Sequence, residues 1–281
     1  QPNWVSLQYV PNGFNPKGLP FWLVPFLKSI RTNAQRHLMY HELHYAKNSF
    51  KNTIYALLQT FLIRQVNYYY KSNLSHTHLP LYRSILSNLK ISTKKLPLFS
   101  NIPIVKTHCN TSENVIKIGI FSKVRLSHKT VITLEYLSKK LEIQNKQLEI
   151  LLLGNKNKQM MDFKKAMNAN PNIKASVRLT GFLTSAEISI QLQNLNLGLT
   201  QVPHSFFGKS GSLAAFIEHG VSVMAFENPG SNQVFLNDYS KYIISDFQEL
   251  DSFLSSKKNN NGLDLLEVTV TKFLSNLNAI D

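Results

Sequence analysis

Residues 208–212 read Gly-Lys-Ser-Gly-Ser. Small and flexible residues in that run let the backbone turn tightly and gather several N–H groups where a helix begins, an arrangement that favours an anion. Lys209 adds a mobile positive charge, and the hydroxyls of Ser210 and Ser212 can cap the helix or bind oxygen. A phosphate-bearing ligand is the expected occupant of Lys209, Ser210, Gly211 and Ser212. The order of residues is not that of a Walker A loop, and an ordinary Ser-Gly cap before a core helix fits the same residues.

Other groups offer proton or metal chemistry. His41 and Glu42 follow an apolar segment, where an imidazole or carboxylate can take a proton from an acceptor hydroxyl; a hydrogen-bonded structural histidine is the alternative. His41 and His44, and His76 and His78, are closely spaced, yet no pair sits in a helix with a carboxylate partner, so no metal site is expected. A Gly-x-Ser-x-Gly elbow is absent, which speaks against a hydrolase.

The elements that must position these residues alternate. In the first part, strands are expected at Trp4–Val10, Arg36–Tyr40 and Val66–Lys71, with a last short strand within Lys94–Val105. Helices are expected after Pro25, over Ser49–Ile63 and over Leu79–Leu89. In the second part, strands are expected at Val115–Phe121, Gln147–Leu153, Ser176–Thr180, Leu195–Thr200, Val221–Phe226 and Tyr242–Ser245. The helices between and after them are Thr130–Leu141, Gln159–Asn168, Ser185–Leu192, the one ending at Gly220, Phe247–Leu254 and Leu265–Leu277. Alternation of this kind indicates α/β layering with parallel sheets. The patternless stretch Lys106–Asn114 is expected as the linker, dividing the chain into domains 1–110 and 111–281.

Composition narrows the partners. The chain has 281 residues, 43% of them hydrophobic, enough for two cores. Neither Gly18–Leu27 nor Thr53–Ile63 reaches the roughly 20 apolar residues that cross a bilayer. Cys109 is the only cysteine, which excludes an intrachain disulfide and leads us to expect a reducing cytoplasm. Opening at Gln1 without Met or a leader, the chain is expected to lack its native start. The net charge of +15 is lopsided: residues 1–108 hold 13 Lys or Arg against one acid, Glu42, a net of +12. An anionic membrane surface, a phosphorylated substrate or nucleic acid would each suit such a half, and so would simple solvation of lysines. No nucleic-acid motif accompanies the charge, so nucleic acid is not expected.

In order along 115–246, the pieces Ile-Gly-Ile-Phe-Ser-Lys-Val-Arg-Leu-Ser-His-Lys, Leu-Leu-Leu-Gly, Leu-Thr-Gly-Phe-Leu, Gly-Lys-Ser-Gly-Ser and Glu-His-Gly-Val resemble the GT-B glycosyltransferases, the group that includes the retaining family 4. Gln8-Tyr-Val-Pro-Asn-Gly-Phe and the strand ending at His41-Glu42 resemble acceptor-domain segments of bacterial members. The resemblance implies two Rossmann-like domains with parallel sheets. The first is incomplete, because its opening strand and glycine-rich turn are not visible, and serves the acceptor side; the second binds a nucleotide-diphosphate sugar. It implies diphosphate binding by Arg125 and Lys129 and base contact at Gly181, Phe182 and Leu183. Glu218 is then the ribose-binding carboxylate, and His41 and Glu42 meet the sugar or acceptor in the cleft between domains.

It also implies a metal-independent hexosyltransferase of polysaccharide biosynthesis without cofactor, taking a saccharide or lipid-linked acceptor, cytoplasmic and peripheral at the inner face of the membrane. The chain departs from family 4 at one motif. With Gly220-Val221 set on the family's Gly-Val, Phe207 and Ala215 stand where its Glu-x7-Glu carboxylates belong, so either Glu218 substitutes from the next turn or the chain is a divergent relative. A non-catalytic GT-B binding or scaffolding protein and a GT-B sugar-nucleotide epimerase are the competing expectations.

Overall fold

A computed structural model describes residues 2–43, 50–107, 114–121, 124–225, 239–256 and 261–280. His44, Cys109, residue 110 of the expected domain boundary and Phe226 of the expected strand end lie outside them. The chain divides into two compact units, Leu98–Leu266 and a unit that joins Gln1–Pro97 to Glu267–Asp281. The division at 97/98 precedes the expected linker, and the C-terminal residues return to the first unit.

The first unit contains β1 (Trp4–Tyr9), α1 (Pro11–Phe14), α2 (Leu23–Ser29), β2 (Gln35–Tyr40), α3 (Phe50–Tyr70), β3 (Leu74–Thr77), α4 (Pro80–Asn88) and β4 (Lys94–Lys95). Its sheet runs β1-β2-β3-β4 with every pair parallel. Pro11 and Pro80 open their helices, where the missing N–H costs nothing. One expectation is overturned: 66–71 is not a strand, since 66–70 end α3 and Lys71 follows it at φ 50°. Its tyrosines favour a strand, but Gln59, Leu62, Ile63, Val66 and Tyr70 continue one buried helical face. The strand lies instead at Leu74–Thr77, buried although three of its four residues are polar.

Thr77 Oγ1 donates to Tyr40 O and Ser75 Oγ meets Ser72 Oγ, while His76 belongs to a longer hydrogen-bonded chain that begins at the exposed Ser6. Ser6 Oγ meets His37 Nδ1 at 2.8 Å, His37 Nε2 meets His76 Nδ1 at 2.9 Å, and His76 Nε2 meets Asn276 Nδ2 at 2.9 Å. With the Asn276 amide donating, each imidazole carries one proton, on Nδ1, and both remain neutral. Burial holds His37 down to about 4, with the nearby His41 adding to the effect, and holds His76 down to about 3, with His37, Lys94, Lys272 and His78 adding.

The second unit contains β5 (Val115–Phe121), α5 (His128–Ile143), β6 (Gln147–Leu153), α6 (Lys158–Ala169), β7 (Ala175–Leu179), α7 (Ser185–Gln193), β8 (Leu197–Thr200), α8 (Gly211–Glu218), β9 (Val223–Ala225), β10 (Ile243–Ile244) and α9 (Phe247–Ser255). The last helix of the chain, α10, spans Leu265–Asn278. All six strands are parallel, in the order β7-β6-β5-β8-β9-β10. Leu148, Ile150 and Leu152 of β6 enter one core and Leu151 and Leu153 the other, so both faces are covered and the strand reads as one apolar run. Ser127, Asn157, Thr184, Ser210 and Asp246 each cap a helix by accepting a backbone N–H, and Thr184 with Glu187 completes a capping box.

Candidate nucleotide-sugar site

The second sheet is built outward from β5. Strands β6 and β7 are added on one side; the chain then returns through α7 and adds β8, β9 and β10 on the other. Connections leave β5 and β8 in opposite directions, so a crevice opens beyond their carboxyl ends, where open α/β sheets bind ligands. A cleft of about 560 Å³ lies there, lined by Phe121 at the end of β5, Thr200 at the end of β8, and Arg125, Gln201, Lys209 and Ser210 among others.

Its positive wall has two sources. Ser210 caps α8 by accepting from the Leu213 amide at 3.2 Å, and its Oγ lies 3.2 Å from Ser212 Oγ, leaving Gly211 and Ser212 at the positive end of the helix. A Cβ on Gly211 would meet nothing within 4 Å, so packing does not require glycine there and a ligand has room to approach. Lys209 closes the preceding 3-10 turn, His204–Lys209, with its ammonium 5.6 Å from the centre of the Phe206 ring. The other source is Arg125, in the loop between β5 and α5. Gln201 holds that loop: its Oε1 accepts from Arg125 N at 2.6 Å, and its Nε2 donates to Arg125 O at 2.5 Å and to Thr130 Oγ1 at 2.7 Å. Gln201 was not among the expected site residues. Its only sequence signal is that it follows the buried strand Leu-Gly-Leu-Thr at its carboxyl end.

Of the expected donor residues, the cleft therefore gathers Arg125, Lys209, Ser210, Gly211 and Ser212. Lys129 instead lines a separate depression with Met224, Asp246 and Phe247. Gly181, at φ 74° and bridged to Gly154, and its neighbours Phe182 and Leu183 follow β7 and do not line this cleft. Leu183 packs on the core, whereas Phe182 is 79% exposed. Phe182→Ala is accordingly expected to change unfolding free energy by less than about 0.5 kcal/mol in denaturant titrations.

Glu218 is buried at the end of α8, outside the cleft lining, and Ser100 N donates to its Oε1 at 3.0 Å. Burial pushes its carboxyl up to about 7, the Ser100 bond opposes that, and Asp264 adds to it.

In the first unit, His41 and Glu42 stand at the carboxyl end of β2. His41 Nε2 lies 2.7 Å from Gln8 Oε1, its ring centre lies 5.2 Å from that of His78, and Glu42 Oε2 accepts from Asn12 at 3.1 Å. His78 Nδ1 meets Leu96 O at 2.9 Å. Among the described residues no group of three His, Cys, Asp or Glu side chains could hold a metal ion.

No protein-family model matches this sequence, and no curated protein matches it. Solved structures do. The GT-B glycosyltransferase TarM superposes with a TM-score of 0.53 at 16% identity, covering 97% of this chain and 49% of TarM. The UDP-GlcNAc 2-epimerase of Methanocaldococcus jannaschii superposes with a TM-score of 0.51 at 12% identity, covering 98% of this chain and 77% of the epimerase. The chain thus spans about half the length of TarM. These likenesses show the fold, two Rossmann-like units of the GT-B type.

Proposed function

We propose that the cleft beyond β5 and β8 binds a nucleotide-diphosphate sugar and that the protein transfers its sugar to a saccharide or lipid-linked acceptor. The observation that carries this reading is the convergence of Arg125, Lys209 and the start of α8 on one cleft at the switch in strand order. A diphosphate leaving group gains charge as the glycosidic bond breaks, and fixed cations and amide dipoles stabilise that charge without a metal. On the acceptor side we assign the proton-accepting role to His41. The 2.7 Å contact between His41 Nε2 and Gln8 Oε1 orients the ring for that role. We further propose that Glu42 meets the sugar or the acceptor hydroxyl, and that the exposed Phe182, outside the cleft lining, stacks on the base where the nucleotide extends past it.

A second reading, sugar-nucleotide epimerisation, draws on the same donor cleft. Likeness to the M. jannaschii epimerase over 77% of its length favours it.

Calorimetry with a panel of nucleotide-diphosphate sugars tests the common premise. A micromolar donor is expected, weakened about tenfold, roughly 1.4 kcal/mol, by either Arg125→Ala or Lys209→Ala. If no nucleotide sugar binds, both readings fall. Weaker binding by Phe182→Ala would support the stacking role. Product analysis by NMR then separates a transferred sugar from an epimerised donor.

A further inference from the structure

Helix α3 is 21 residues long and contains no acid. Its inward face is buried, yet every exposed position from 51 to 68 is apolar, aromatic or cationic, with Ile54, Leu57, Phe61 and Tyr68 interspersed with Lys51 and Arg64. Helix α2 lies beside it: Lys28 Nζ sits 4.2 Å from the centre of the Tyr69 ring. Across α2, Phe21, Trp22 and Phe26 are each about half exposed, and Lys28 and Arg31 are exposed as well. A water-facing helix ordinarily carries polar side chains outward, so this surface is adapted to something other than water.

We infer that the face formed by α2 and α3 docks onto an anionic lipid bilayer. Aromatic and leucine side chains enter the boundary between headgroups and acyl chains, while lysine and arginine meet anionic headgroups, and both kinds are present on one face. The union of exposed aromatic and aliphatic side chains with unbalanced cations favours an anionic bilayer, which meets both at once. Glu42 is the only acid in residues 1–108, so the face has cations to be neutralised from outside and no carboxylates to offer in return. Among the described residues no helix is long and apolar enough to cross a membrane, so contact here is peripheral.

Flotation of the full-length protein with vesicles of phosphatidylcholine alone and of phosphatidylcholine with phosphatidylglycerol tests the inference. The protein is expected to float with the anionic vesicles only. Joint replacement of Trp22 and Phe61 by serine lowers the partition coefficient by about tenfold. Lys51→Gln and Arg64→Gln each lower it about fivefold. Lys51 and Arg64 are exposed, so thermal unfolding of their variants stays that of the parent; Trp22 and Phe61 are half exposed, so partition of the aromatic variant is measured below its own unfolding transition. None of the four lines the nucleotide cleft, so donor binding is retained. Failure to float with anionic vesicles overturns the inference, as does equal partition by the aromatic variant. Self-association that Phe61→Ser abolishes would instead make the face an interface between copies of the chain.

Discussion

Acidification from pH 7 to pH 5 is expected to destabilise the first unit by about 2 kcal/mol for each of His37 and His76. Each ring has a folded pKa below its ordinary 6.5, near 4 for His37 and near 3 for His76, so the fold excludes their protons. The contribution is complete above pH 6.5 and is lost as pH falls toward those lower values. Burial is the main reason, and the hydrogen-bond chain is in keeping with it: a second proton on either ring would place two N–H donors against each other or against Asn276. Both tryptophans, Trp4 and Trp22, lie in this unit, so denaturant titrations followed by tryptophan fluorescence report it selectively. His219, also held down by burial, acts in the same direction in the other unit. His76→Gln should lower stability at pH 8 but remove about one proton from the pH slope. A transition midpoint unchanged between pH 7 and 5 would refute this account.

Phe216→Ala is expected to cost 3–5 kcal/mol, roughly, in the second unit, and to abolish nucleotide binding as well. The Phe216 ring is 1% exposed and lies edge-on to Phe121 at 6.3 Å. It also presses on β8 at Gly198, where a Cβ would approach the ring to 3.1 Å. This contact seats α8 on the sheet and thereby aims its start into the cleft. Phe216→Leu keeps most of the volume and should cost much less. Thermal unfolding by circular dichroism, with calorimetry alongside, measures both effects. A loss below about 1 kcal/mol would show that α8 is held by other contacts.

The second unit was legible where both faces of a strand are mostly covered. Val115–Phe121 and Gln147–Leu153 are strands over those same residues, because nothing but a covered parallel strand explains such short apolar runs between helical patterns. Legibility failed where polar residues are buried. Leu-Ser-His-Thr at 74–77 was not among the expected strands, because its burial depends on His76 meeting His37 and Asn276, a partner 200 residues away. Tyr68, Tyr69 and Tyr70 favour a strand locally, and the packing of α3 overrides them.

At the candidate site, the Gly-Lys-Ser-Gly-Ser run and Arg125 could be found as local signals of charge and backbone freedom. Glu218 could not be placed, because an isolated carboxylate near a helix end does not reveal that Ser100 covers it. Nor could Lys129, since one residue of helix rotation decides which depression it enters.

Arg125 and Gln201 are joined by two hydrogen bonds, yet they stand 76 residues apart in the chain. The cleft thus belongs to no single stretch of polypeptide. During synthesis it cannot exist until β8 has found its place against β5 and α8 has emerged behind it. A ligand held there acts as an inspector of completed folding, adding stability only to molecules whose sheet has closed, about 2.7 kcal/mol when it is present at a hundred times its dissociation constant. Supply of that ligand would then set how much folded protein persists, apart from any reaction it undergoes.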